Sequence, residues 1–94
     1  MIDKGFLNKL FTQTIENLDS IDAKITTLLT KHDNISQMGS IVLAILQVGI
    51  CELLYFPTPY KVVIDEYVTM ARDFYTASEV SFINGILDKI ASQR

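Results

Sequence analysis

Apolar residues recur along most of this chain at steps of three and four, the spacing that puts side chains on one face of an α-helix. Phe6, Leu7, Leu10, Phe11, Ile15 and Leu18 follow it first, and they predict a helix over residues 3–19. Ser20 then stands where an N-cap is favoured, with Asp22 near the positive end of a second helix. Ile21, Ile25, Leu28 and Leu29 are its apolar face, and the basic Lys31 and His32 suit its negative end. Residues 32–34 are polar and turn-like. The run from 38 to 55 is too long for a buried strand and is apolar nearly all round, as befits a helix in the middle of a bundle. Pro57 and Pro59 stop it, because neither continues a helical hydrogen-bond ladder. A fourth helix is expected over 60–74, with Val63, Ile64, Tyr67, Val68 and Ala71 inward. Lys61 and Asp65, four apart on its outer face, are spaced to pair. Ser78 is the expected N-cap of a last helix, whose buried stripe is Val80, Ile83, Ile86, Leu87 and Ile90.

Asn84-Gly85 is the one conflicting signal, since this dipeptide between apolar runs favours a hairpin. The helical period runs straight through it, and the adjacent pairs Phe82-Ile83 and Ile86-Leu87 break strand alternation. Gly85 is therefore read as a mid-helix glycine. Its cost of about 1 kcal/mol relative to alanine implies a close approach by another helix or a ligand. The expected fold class is all-α, an antiparallel bundle of about five helices. With 94 residues, the chain has room for a single domain over 1–94.

Composition narrows the function. Lys and Arg total 8 against 11 Asp and Glu, for a net charge of −3, which argues against nucleic-acid binding by bulk charge. The single Cys51 excludes an internal disulfide framework and fits a reducing, cytoplasmic setting. It lies within the apolar run and reads as a small core residue. Glu52 beside it needs a partner on so apolar a helix. The most apolar stretch, 41–56, falls short of a membrane span and is interrupted by Gln47 and Glu52. Residues 1–5 do not have the basic-then-apolar character of a secretory leader. His32 has no second His or Cys near it in sequence, so no metal site is expected. No phosphate loop, nucleophile elbow or cofactor motif occurs, and nothing points to an enzyme.

The second half carries a more specific signal. Glu52-Leu53-Leu54-Tyr55, then Pro59-Tyr60-Lys61-Val62-Val63-Ile64-Asp65-Glu66, then Phe82-Ile83-Asn84-Gly85-Ile86-Leu87-Asp88-Lys89-Ile90 closely resemble, in order and spacing, the transcription antitermination factor NusB family. The likeness runs from about Gly5 to the end and is strongest from Cys51 onward. It implies an all-helical, non-catalytic adaptor that binds boxA RNA together with NusE, a ribosomal protein that serves as a transcription factor. Family members usually begin with two further helices, the first Arg-rich. The expectation is a chain lacking these two helices, with only Lys4 and Lys9 as cations on its first helix. Where members commonly carry arginine in the central helix, this chain has Leu43 or Gln47. Where most carry asparagine, it has Asp65.

By the same resemblance, Phe74 and Phe82 match aromatics that contact RNA at the junction of the last two helices. Unpaired bases stack on aromatic faces, whereas the competing reading places both rings in the core. Ser78 stands near a position often acidic in the family, and Lys31 near one that often contributes a basic contact. An exposed, solvated side chain is the equal alternative for Lys31. The first helix presents two apolar edges. Its Phe6, Leu7, Leu10 and Phe11 are a candidate partner-binding surface if the usual covering helices are absent, and a homodimer or a swapped assembly through this helix is the expectation. Two readings stay open: an RNA and NusE adaptor, or a truncated or divergent protein–protein interaction module with little RNA binding. No DNA or membrane partner is expected. NusB-like domains also front an RNA methyltransferase, a reading that the absence of a cofactor domain from these 94 residues disfavours unless they are a fragment.

Overall fold

A helix apolar on every side has to be surrounded, and the fold is arranged around such a helix. The computed structural model describes residues 4–29 and 38–93. They form α1 (Lys4–Glu16), α2 (Leu18–Leu28), α3 (Ser40–Tyr55), α4 (Tyr60–Arg72) and α5 (Ala77–Gln93), with no strand among the described residues. The all-α expectation is met. α3 packs against each of the other four helices, and α5 closes the bundle against α2 and α4. Leu46, Ile50 and Leu53 of α3 join Ile21, Ile25, Val63, Ile83 and Leu87 in one continuous core.

The boundaries differ from the periodicity reading in instructive places. The first break falls at Asn17, not after Asp19. Asn17 leaves helical geometry at φ −116° and ψ 16°, and its side-chain amide donates to the Gln13 carbonyl at 2.8 Å. A new helix begins at the next residue, so Ser20 is an exposed position inside α2 rather than its cap. α2 ends at Leu28, where Leu29 turns extended. Lys31 and His32 lie outside the described residues. α3 ends as expected before Pro57. Phe56 adopts φ −125° and ψ 153°, the extended geometry that a following proline imposes. The Pro59 carbonyl then receives the Val62 and Val63 amides, each at 3.1 Å, and starts α4.

The last helix is capped by a residue the periodicity missed. Thr76, not Ser78, precedes α5, and its carbonyl accepts from the Val80 amide at 3.0 Å. Its hydroxyl donates to the Glu79 carboxylate at 2.7 Å. Thr76 and Glu79 have the three-residue spacing of a capping box, and the helix starts two residues earlier than a serine cap at position 78 would place it. Ser78 is an exposed residue in the first turn.

The core contains one polar link. Glu52 is only 4% exposed, and the buried Tyr67 hydroxyl donates to its carboxylate at 3.0 Å, joining α4 to α3. Burial, reinforced by the Glu52 charge, pushes the Tyr67 phenol well above its ordinary range. Cys51 is fully buried as expected. Its thiol lies 3.9 Å from the Leu10 carbonyl, which also receives the Thr14 hydroxyl at 2.7 Å. Burial raises the thiol's pKa, only partly offset by Thr14.

The close backbone approach expected of Gly85 occurs elsewhere. A Cβ built on Gly85 would meet nothing within 4 Å, whereas one on Gly49 would lie 3.2 Å from Leu87 and 3.4 Å from the Tyr67 ring. Gly49 is thus the position where α3 admits both α4 and α5, and Gly85 faces solvent.

Candidate RNA interface

α5 is amphipathic in a way that leaves one stripe free. Ile83, Ile86, Leu87 and Ile90 are buried. Ser78, Phe82, Gly85 and Lys89 follow at steps of four, three and four, which align along a different face. Ser78, Gly85 and Lys89 are exposed, while Phe82 is half-buried with its ring against the core edge. The stripe therefore offers an anchored aromatic ring, then backbone with no side chain above it, then a cation. Lys89 was not singled out by the sequence reading, although its seven-residue offset from Phe82 was a usable signal.

Phe74 sits at the turn between α4 and α5. Its amide donates to the Ala71 carbonyl at 3.1 Å, and the side chain is 65% exposed. The core alternative therefore does not hold for Phe74, and for Phe82 it holds in part. The turn and the stripe put Phe74, Ser78 and Phe82 in one region of the chain around the start of α5. Lys31 cannot be placed, since it lies outside the described residues. Charge near this region is mixed, with Arg72 and Asp73 at the end of α4 and Glu79 in the first turn of α5.

On α3, Gln47 donates from its amide to the Asp22 carboxylate at 2.8 Å and ties α3 to α2. The sequence reading assigned Asp22 to the start of α2, but Asp19 occupies that first turn. Asp22 is held by a neutral amide at one of the positions where arginine was expected from the resemblance.

The proposed edge of α1 is divided by the fold. Leu10 is 4% exposed and belongs to the core, because α1 docks on α3 through Leu10 and Thr14. Leu7 is half-buried, and Phe6 packs on Phe56 with ring centroids 5.4 Å apart. The exposed apolar positions of α1 are Phe6, 36% exposed beside Phe56, Phe11, 49% exposed, and Ile15, 69% exposed. Of the four positions expected to form the edge, Phe6 and Phe11 are exposed, Leu7 is half-buried and Leu10 is core.

Comparison with known proteins assigns the family. The family model described as NusB family matches residues 1–92. This chain belongs to the NusB family. The transcription antitermination protein NusB of Rickettsia bellii is 44% identical over 79 residues, which cover 83% of this chain and 51% of that protein. That of Mannheimia succiniciproducens is 40% identical over 91 residues, covering 96% of this chain and 62% of the relative. The solved structure of T. maritima NusB superimposes with a TM-score of 0.89 at 30% identity, over 98% of this chain and 67% of that one. The chain thus spans between about half and two thirds of the NusB proteins it matches.

Proposed function

We propose that this chain acts in transcription antitermination as a non-catalytic adaptor that binds boxA-type RNA together with NusE in the cytoplasm. The observation that carries this reading is the α5 stripe. Phe82 supplies a ring held by the core at one edge, Gly85 lets a flat base come close to backbone, and Lys89 can meet a phosphate. Phe74, exposed at the neighbouring turn, adds a second stacking surface. Stacking contributes about 1–3 kcal/mol per base and is well suited to an acidic protein, which has little bulk attraction for RNA.

The test is fluorescence anisotropy of labelled boxA RNA, with and without NusE, at moderate salt. The expected result is sequence-specific binding that Phe82→Ala weakens by about 5- to 150-fold, the equivalent of one stacked base. Phe74→Ala, at an exposed site, separates lost stacking from lost folding. The net charge of −3 favours a second reading, a protein interaction module with little RNA affinity. Binding to NusE without any boxA preference would select that reading, and binding to neither would overturn the first.

A further inference from the structure

Between α1 and the end of α3 lies a groove of about 420 Å³, a volume in the range of small-molecule sites. Asn8, Lys9, Thr12 and Gln13 line it from α1, and Tyr55 and Phe56 line it from α3. No carboxylate does. Steps of four place Asn8 with Thr12, and Lys9 with Gln13, on adjoining rows of α1. The Phe56 ring is held by the Phe6 ring, with centroids 5.4 Å apart, and Tyr55 is 40% exposed. Among the described residues, none of the four α1 side chains has a hydrogen-bond or ionic partner. The larger groove between α4 and α5, of about 880 Å³, is lined by Asp65 and Asp88, which repel a phosphate. Lys61 there is not paired with Asp65, as its spacing suggested; it lies 6.0 Å from the centroid of the Tyr60 ring.

We propose that the α1–α3 groove binds an adenine nucleotide, with the base against Tyr55 and Phe56 and the phosphate on Lys9. The two rings offer a flat base a stacking face. The Asn8 and Gln13 amides each combine a donor with an acceptor, the pairing that matches the N6 and N7 edge of adenine. Lys9 supplies the charge for the phosphate. It stands towards the positive end of the α1 dipole, while Glu16, exposed and outside the lining, stands at the negative end. The phosphate therefore points to the Lys9 end. A protein helix does not suit this lining, because its apolar face would strip water from two amides and an ammonium and return no hydrogen bond. The groove is separate from the α5 stripe. On α3, Cys51 faces Leu10 of α1 and Gly49 faces Leu87 of α5. Two residues on a helix turn through about 200°, so α1 and α5 lie on opposite sides of α3. The proposal does not rest on the boxA reading. A free nucleotide and an adenosine within a single strand offer the same chemistry.

The probes are AMP, adenosine, UMP and a short oligoadenylate, titrated into the isotope-labelled full chain by NMR. AMP is expected to bind with a millimolar Kd and to shift amides of Asn8–Gln13 and Tyr55–Phe56, not those of Phe82–Lys89. UMP should bind more weakly. Lys9→Gln should weaken AMP about two- to fivefold and leave adenosine unchanged, as for an exposed charge pair. Tyr55→Ala should weaken both by about fivefold or more. Lys9 and Tyr55 are exposed, so both variants keep the fold, which circular dichroism checks. Tighter binding per adenosine of the oligoadenylate at the same amides supports the site and assigns its occupant to a single strand. Equal affinity supports it and assigns a free nucleotide. Absence of AMP shifts in the groove would overturn the proposal. So would shifts confined to α5, equal affinities for AMP and UMP, or an equal effect of Lys9→Gln on AMP and adenosine. The boxA titration reads α5 and the AMP titration reads α1, so either reading can fail alone.

Discussion

Two glycines in helix interiors make opposite predictions for one substitution. Replacing either by alanine removes about 1 kcal/mol of helix-propensity cost. At Gly85 the new methyl meets nothing within 4 Å, so the full gain should appear. Gly85→Ala is expected to raise unfolding free energy by about 0.8–1 kcal/mol, and Tm by about 4–8 °C for a domain of this size. At Gly49 the methyl would lie 3.2 Å from Leu87 Cδ2 and 3.4 Å from Tyr67 Cγ. Leu87 is fully buried, and Tyr67 is held by its bond to Glu52, so neither yields freely. Overpacking of this kind costs about 1–3 kcal/mol, which outweighs the propensity gain and leaves Gly49→Ala neutral to about 2 kcal/mol less stable. Urea unfolding followed by far-UV circular dichroism measures both. Leu87→Val should be better tolerated in the Gly49→Ala background than alone, because it removes the clashing methyl. Equal stabilisation by both alanines would refute the close packing at Gly49, and destabilisation by Gly85→Ala would refute the open face of α5.

Other outcomes follow from the core and the RNA stripe. Tyr67→Phe removes the hydroxyl that Glu52 accepts from and should cost about 1.5–3 kcal/mol, measured by chemical denaturation. The folded Tyr67 phenol titrates above its unfolded value of 10.0, so its contribution is complete below that pH. Stability should fall as pH rises past 10, and Tyr67→Phe should flatten the decline in a pH series of unfolding curves. Cys51 is buried with a raised pKa, so a thiol reagent should label it at the rate of opening and immediately in denaturant. Lys89→Gln should lower the salt slope of log K for boxA RNA by about 0.7, the loss of one phosphate contact on a single strand.

The five helices were legible because each peripheral one buries a stripe at regular spacing, and Pro57 and Pro59 punctuate the longest apolar run. The errors have local causes. The Asn17 break depends on a side chain bonding back to Gln13, and the choice of Thr76 over Ser78 depends on which hydroxyl reaches Glu79. Neither is visible to an apolar pattern. Gly49 was overlooked because α3 has no polar face against which a small residue stands out. The demand for a partner at Glu52 was readable, but Tyr67, 15 residues away, became identifiable only once α3 and α4 were packed together. Of the candidate site, the aromatic positions came from the resemblance. Their exposure, and the alignment of Gly85 and Lys89 with Phe82, required the fold.

The central position of α3 also sets how the molecule opens. α1 contributes only Leu10 and Thr14 to the buried interior, while α3 contributes eight residues from Val42 to Leu53 and touches every other helix. In native-state hydrogen exchange, α3 amides should exchange only through global unfolding, and α1 should detach first as a separate cooperative unit. Each detachment would uncover Cys51, whose thiol faces the Leu10 carbonyl of α1, while α3, α4 and α5 stay assembled, giving thiol reagents a route into the interior that does not require the bundle to unfold.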